Sequence, residues 1–419
     1  QIAQQSTEQP KGRNFVIGDS LDLPNGEKAR YKANIEAIRL VKQLETEGRH
    51  ATEAEQVILS KYVGWGGLAN AFDQRKSEWA KEYTELKELL SDDEYTSARG
   101  STLNAHFTDI SVIKAMYDGL AKLGFNGGRM LEPSSGVGNF VGAMPAEMTA
   151  KVKSWTMVEL DGITGLIAKH LYPNSDVRIQ GFEKANIPDN YMDVAISNVP
   201  FGNYAITDKA YPKKVTSAIH NYFFAKSLDK VRPGGIVMFI TSSYTMNSKD
   251  STVRRYIMQR ADLLGAIRLP DSAFKGNAGT EVVTDILVLK KRAANTAYAG
   301  EDFLEAPWVY PVKGNYNGAN INTYFENHPE MVLGTASMDG GMYRGGTLTY
   351  KALEGKGSLA DQIREAFSHI EGKMEYPATL SREKTNFAVE RANKKTKENG
   401  LVVKDGKVYQ NKGGELVEV

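Results

Sequence analysis

The chain predicts an α/β fold: a seven-stranded, doubly wound, mostly parallel sheet, with an N-terminal helical region and a small irregular C-terminal region. Three observations predict it. Seven short apolar runs of the kind that form buried strands are separated mostly by helical or loop segments. The first run ends in a glycine-rich loop that opens a helix, as at the ligand edge of an open parallel sheet. The last two runs lie close together in sequence, which suits an antiparallel hairpin at one edge.

Before the sheet, residues 1–99 read as mostly helical. Ile35, Ile38, Val41 and Leu44 recur on one helical face. Thr52 and Glu55 form a capping box for a second helix carrying Val57, Ile58 and Tyr62, which should stop at Gly64. Asp73 to Glu94 holds eight acids and four bases and reads as a solvated helix face. The sheet region spans 100–292. Val112, Ile113, Met116, Tyr117, Leu120 and Leu123 line a helix capped by Thr108 or Asp109 and ended by Gly124. The strands follow at Arg129–Glu132, Trp155–Glu159, Val177–Gln180, Asp193–Ser197, Ile236–Thr241, Leu264–Leu269 and Asp285–Lys290. Residues 293–419 form an extension with one helix from Leu359 to Ile370 and a terminal hairpin turning at Asp405-Gly406.

Composition limits the chemistry. The 419 residues carry 52 Lys+Arg against 51 Asp+Glu, so any nucleic-acid contact must come from a local patch. There is no cysteine, which excludes disulfides, thiolate metal sites and cysteine nucleophiles and fits a reducing, cytoplasmic setting. None of the six histidines has metal-ligand spacing, and His220 reads as structural. No apolar run is long enough for a membrane span. A chain that starts at Gln1 rather than Met fits a piece of a longer protein.

Four strand ends hold the candidate chemistry. Leu131-Glu132-Pro133-Ser134-Ser135-Gly136-Val137-Gly138-Asn139-Phe140 offers glycines for close backbone approach and an acid that can meet a cationic amine. Glu159, ending the next strand, suits ribose hydroxyls, with Asp161 as an alternative and a plain surface acid as the bland one. Gln180-Gly181-Phe182-Glu183 can cover a purine or be a simple corner. Asn198-Val199-Pro200-Phe201 ends the fourth strand. An Asn amide and the next carbonyl both accept from an amino group, and Phe201 can stack on an extruded base; a turn with a buried Phe is the alternative. From Asn203 to Arg260 there are ten Lys/Arg and three Asp/Glu, a local +7. Lys209, Lys213, Lys214, Arg254 and Arg255 are its candidate phosphate contacts. Trp65, among glycines, reads as a packing anchor.

In this order the motifs resemble the gamma class of DNA adenine-N6 methyltransferases, over roughly residues 100 to 292. His106-Phe107-Thr108, the Glu132–Phe140 loop and Asn198–Phe201 stand where that family has its three motifs. Three further stretches extend the resemblance: Tyr62-Val63-Gly64-Trp65-Gly66-Gly67-Leu68, Asn198-Val199-Pro200-Phe201-Gly202, and Tyr324-Phe325-Glu326-Asn327-His328-Pro329 followed by Gly334. Together they resemble the front part of large phage and conjugative-element proteins that join such an enzyme to a helicase; no helicase motif occurs here.

The resemblance implies a methyltransferase-type sheet and S-adenosylmethionine as cofactor. It implies that Phe107 and Thr108 sit over the methionine end, and that Glu132, Pro133, Gly136 and Gly138 hold the amino-acid part. Glu159 would hold the ribose, and Phe182 with Glu183 the adenine. Asn198 and the Val199 carbonyl would orient the target amine, Pro200 stiffen the turn and Phe201 stack on the base. Implied partners are DNA and a helicase domain of the same longer chain, with no membrane and no metal. Val199 stands where the family has its first Pro, Asp109 where a Pro often follows the Thr, and Gly181 where an acid often precedes the Phe. Alternatives are an RNA or protein-glutamine methyltransferase, and a catalytically inactive DNA-binding or anti-restriction module. A nicotinamide-dependent dehydrogenase leaves the Asn198 loop unexplained.

Overall fold

The computed structural model describes residues 12–102, 108–202, 204–274, 283–340, 347–377, 401–404, 407–412 and 415–418. Gln1–Glu375 forms one compact unit and Tyr376–Val419 another. In the first, helices α1 (Glu27–Glu47), α2 (Glu53–Leu59), α3 (Ala80–Leu89), α4 (Asp92–Ser101) and α5 (Ile110–Lys122) precede the sheet. The expected α1 stripe of Ile35, Ile38, Val41 and Leu44 is buried, and both bonds of the Thr52–Glu55 capping box are made. Asp109 is the α5 cap, accepting from the Ser111 N–H at 2.7 Å.

Two expectations are corrected here. Helix α2 stops at Leu59 rather than Gly64. The cause is buried Asn34 on α1, whose Oδ1 accepts from Val63 N–H at 2.9 Å while its Nδ2 donates to Gly64 O at 2.5 Å. These bonds satisfy backbone groups that a helix would otherwise have to pair. The acids of 73–94 are also not simply solvated: Glu82, Glu85 and Glu94 each lie 2.7 Å from Lys28, Arg39 and Lys42 of α1.

The strands are β1 (Gly128–Glu132), β2 (Val152–Glu159), β3 (Asp176–Ile179), β4 (Met192–Asn198), β5 (Val231–Ser242), β6 (Ala261–Arg268) and β7 (Thr284–Lys291). They form one sheet in the order β3-β2-β1-β4-β5-β7-β6. Pairs β1–β2, β2–β3, β1–β4 and β4–β5 are parallel, and β7 runs antiparallel to β5 and β6. This is the sheet the sequence predicts, with the hairpin at the β6 edge. Helices α6 (Asn139–Gly142), α7 (Ala146–Thr149), α8 (Gly162–Leu171), α9 (Lys213–Thr216), α10 (Ile219–Lys230), α11 (Tyr244–Asn247) and α12 (Thr252–Met258) connect the strands. The central strands are buried throughout, which is why they read as unbroken apolar runs.

After the sheet come β8 (Trp308–Val309), β9 (Ala319–Asn320), α13 (Thr323–Asn327), the antiparallel pair β10 (Gly334–Gly340) and β11 (Thr347–Ala352), and α14 (Leu359–His369). Helix α14 matches the expected 359–370 helix and packs on α5, with Phe367 over Gly119; a Cβ there would lie 2.5 Å from the ring. In the second unit β12 (Leu401–Lys404), β13 (Lys407–Lys412) and β14 (Glu415–Glu418) make an antiparallel sheet. Its first two strands form the expected hairpin, and the Asp405-Gly406 turn itself lies outside the described residues.

At the hairpin edge, Arg268 and Asp285 form a fully buried bidentate pair, with bonds of 2.9 and 3.0 Å. Arg268 also meets Asn247 Oδ1 at 3.0 Å and lies 3.9 Å from the Phe325 ring centroid. One guanidinium thus ties β6 and β7 to the elements after the sheet. Asp285→Asn leaves that cation without a counter-charge and is expected to cost about 3–5 kcal/mol of stability. Urea unfolding of the variant against the parent measures it; a change within about 0.5 kcal/mol would show that the pair contributes little.

Candidate functional site

The strand order reverses between β1 and β4, so a crevice opens beyond their carboxyl ends. A cavity of about 230 Å³ fills it. Thr108, Glu132, Gly136, Glu159, Asn198, Val199, Pro200 and Phe201 all line it, joined by Tyr62, Trp65 and Asp161. Eight of the expected site residues therefore meet in one place.

Glu132 ends β1 and is 1% exposed. Its Oε2 has no hydrogen-bond partner among the described residues. Burial pushes its pKa well above the usual carboxylate range, and the neighbouring Glu159 pushes in the same direction. A buried carboxyl with an unused oxygen at a cavity wall is complementary to a cationic donor. Glu159 is better supplied: it accepts from the N–H groups of Gly136 and Asp161, both at 2.8 Å. Burial still raises its pKa to about 7.

The two loop glycines do different work. Gly136 has φ 54° and open space where a Cβ would be, so its backbone faces the cavity. Gly138, at φ 89°, would put a Cβ 2.4 Å from the Tyr172 ring. It is needed for packing, and neither it nor Pro133 lines the cavity.

Asn198 ends β4. Its Nδ2 donates to the Thr108 hydroxyl at 3.0 Å, which fixes the plane of the amide. Val199 N–H donates to Ile240 O at 3.1 Å, and the Ser197 hydroxyl donates to Ser134 O at 3.1 Å. The loop is thus pinned to β5 on one side and to the glycine loop on the other. Asn198, Val199 and the half-buried Phe201 line the cavity together, residue types that can hold a flat amino-bearing ring.

Several expected residues sit elsewhere. Phe107 lies outside the described residues. Phe182 is buried against Phe223 and Tyr222, with ring centroids 5.1 and 6.2 Å away. It does not line the cavity, because the turn at Phe182–Lys184 directs it into the packing beneath. Glu183 also lies off the cavity; its carboxylate fills the space a side chain at Gly181 would need, 2.3 Å from that Cβ position. Arg254 is corrected outright as a phosphate contact: it is buried, donates Nε to Leu304 O at 2.8 Å, and burial lowers its pKa to about 10.

Much of the +7 stretch is likewise used internally. Lys226 faces Asp208, Lys230 Asp189, Arg232 Asp193 and Lys214 Asp250. Lys209, Lys213 and Arg255 remain exposed. Burial holds His220 at a pKa of about 4, as a structural neutral ring. Trp65 is the expected anchor, edge-on to Phe72 at 5.2 Å. Val63 and Gly64, between Tyr62 and Trp65, are held by long-range bonds from Asn34, which no local sequence pattern announces. Among the described residues no helix is long and apolar enough to cross a membrane, and no group of three or more His, Asp or Glu side chains could hold a metal ion.

A carboxyl whose pKa is raised binds its proton more tightly folded than unfolded. The stability from Glu159 is therefore full in acid and is lost as pH climbs from its ordinary 4.5 through about 7. The urea midpoint of the ligand-free protein should fall between about pH 5 and about pH 8, and fall less in Glu159→Gln. An equal fall in both would contradict the burial of this carboxyl.

No family model matches the chain. Over 292 residues, 68% of the chain, it is 27% identical to the defense against restriction protein B of Escherichia phage P1. The chain spans 11% of that relative's length. Among solved structures it is similar to a methyltransferase subunit of a type I restriction-modification system from Streptococcus thermophilus, with 13% identity, a TM-score of 0.39, and 64% of this chain and 79% of that one covered. It is also similar to the M protein of the type I restriction enzyme EcoKI, with 14% identity, a TM-score of 0.37, and 70% and 69% covered.

Proposed function

We propose that the chain is an S-adenosylmethionine-dependent methyltransferase that modifies the N6 amine of adenine in DNA, in the cytoplasm. The observation that supports this best is one cavity holding both the unsatisfied buried carboxyl of Glu132 and the Asn198-Val199-Pro200-Phe201 loop. The sequence likeness to a phage defense-against-restriction protein supports a role on DNA exposed to restriction.

The residues present fit the cofactor. Glu132 is the partner for the amino group of its methionine part, Gly136 supplies close backbone, and Glu159 accepts from its ribose hydroxyls. Thr108 sits at the methionine end, against Asn198. Pro133 and Gly138 shape the loop from below. When bound, S-adenosylmethionine supplies an electrophilic methyl group on a sulfonium. The chain's own part is orientation. Asn198 Oδ1 and the Val199 carbonyl accept the two amine hydrogens, which leaves the nitrogen lone pair directed away from them. Phe201 stacks on the base, and extruding that base from a duplex costs a few kcal/mol, roughly, and less from a single strand. The Val199 carbonyl is a backbone group, so the absence of the family's first Pro leaves the acceptor in place. Exposed Lys209, Lys213 and Arg255 are the phosphate contacts; Lys214 joins them only by releasing Asp250.

Labelled S-adenosylmethionine offered with single-stranded DNA, duplex DNA and RNA, followed by nucleoside mass spectrometry, tests the proposal. N6-methyladenine in DNA is expected. Asn198→Ala should abolish transfer while cofactor affinity stays within about tenfold, since the amide serves the target and not the cofactor. Undiminished transfer in that variant would remove Asn198 from the chemistry, and label appearing only in RNA or in protein would overturn the substrate.

A further inference from the structure

Among the described residues, three of the seven exposed large aromatic side chains lie on one short segment, residues 308–316, and they are among the most exposed; Tyr191, Tyr204 and Tyr376 lie elsewhere in the chain. Trp308 is 61%, Tyr310 65% and Tyr316 94% exposed, and Tyr244 nearby in the fold is 63% exposed. Exposed rings gathered in this way mark a surface that meets another molecule. Strands β8 and β9 pair antiparallel with Trp308 opposite Asn320, so residues 310–318 form the tip of a short arm. Gly318 lies under the indole: a Cβ there would sit 2.2 Å from Trp308 Nε1. The ring therefore has a fixed seat while most of it faces solvent.

The base of the arm is clamped. Asn322, fully buried, donates Nδ2 to the carbonyls of Met246 and Phe303, both at 2.8 Å. Its backbone N–H donates to Asn247 Oδ1 at 3.1 Å. Arg254 donates Nε to Leu304 O at 2.8 Å and a terminal nitrogen to Thr245 O at 3.4 Å. Both clamps fasten the arm to α11, whose first residue is Tyr244. Helix α11 directly follows β5, and Ile240 of β5 pairs with Asn198. The aromatic arm is thus built onto the strand beside the Asn198 loop.

The electrostatics select the partner. From Ala306 to Phe325 there is no acid and one base, Lys313, while exposed Glu301, Asp302 and Glu305 stand at the base of the arm and exposed Glu326 follows it. Lys213, Lys249 and Arg255 are exposed on α9 and around α12, and Asp250 between them is engaged by Lys214 at 2.9 Å. A tip of exposed rings without acids, on an arm fastened to α11 and α12 whose own segment carries exposed cations, is the chemistry that stacks unpaired bases while the backbone is neutralised.

We infer that Tyr244, Trp308, Tyr310 and Tyr316 form a stacking platform for unpaired bases of the nucleic-acid strand that enters the cavity. This rests on the proposal that the chain acts on nucleic acid, and it adds where the strand is gripped.

Tryptophan fluorescence tests it on the full chain. Trp65, Trp79 and Trp155 are buried, so iodide quenching reads Trp308. A single-stranded oligonucleotide is expected to quench that emission and shield it from iodide. Trp308→Ala and Tyr316→Ala should each weaken oligonucleotide binding roughly five- to hundred-fold, with its salt dependence and S-adenosylmethionine binding unchanged. Oligonucleotide binding that leaves Trp308 as open to iodide as before overturns the platform and spares the proposed function. Absence of binding to any nucleic acid overturns both. Shielding that follows protein concentration alone, without nucleic acid, means that a second copy covers the arm and also overturns the platform.

Discussion

Glu132 and Asn198 face one crevice because β1 and β4 lie side by side, Met130 against Val194 and Leu131 against Ala195. The chain moves outward through β2 and β3 from β1, then returns to place β4 on the other flank of β1. No connection crosses the gap at the carboxyl ends of those two strands, and a space open to ligands is left there. The buried acid at the end of β1 and the amide at the end of β4 are neighbours by this topology.

What surrounds the crevice keeps those two groups ready. Thr108, at the start of α5, holds the Asn198 amide, and backbone bonds to β5 hold the residue after it. Gly136 spends its N–H on Glu159, so the glycine loop and the β2 acid form one unit. Glu132 keeps one oxygen without a hydrogen-bond partner among the described residues. Burying a carboxyl in this way disfavours its charge, and a cationic partner beside it would restore that charge. Away from the crevice, Arg268 at the β6 edge and Arg254 on α12 each use a guanidinium to fasten later segments, Arg268 against Phe325 and Arg254 to the Leu304 carbonyl.

Much of this was legible in the sequence. The strands came from apolar runs because burial on both faces erases alternation, and the site loops came from Gly, Asn and Pro at strand ends, where local backbone demands are strict. The capping box at Thr52 and the caps of α5 were legible for the same local reason. Three features were not. Arg254 looks like any surface cation, and its burial depends on the Leu304 carbonyl fifty positions away in sequence. Asn34 halts α2 from a different helix, by holding Val63 and Gly64 between Tyr62 and Trp65. Phe182 sits at the right strand end, but a short turn directs it into the core. For Arg254 and Asn34 the deciding contact lies between residues far apart in the chain, and composition and periodicity carry no record of it.

The most direct test is calorimetric titration of S-adenosylmethionine into the protein and into Glu132→Gln, repeated in buffers of different ionisation enthalpy near neutral pH. Burial disfavours the charge on the Glu132 carboxyl and an ammonium beside it favours that charge, so binding shifts the group towards its ionised form and releases protons. Binding with proton release is expected, with both affinity and release reduced in Glu132→Gln. Failure to bind, or binding of equal strength and no proton release in either protein, would contradict the assignment of this crevice to the cofactor.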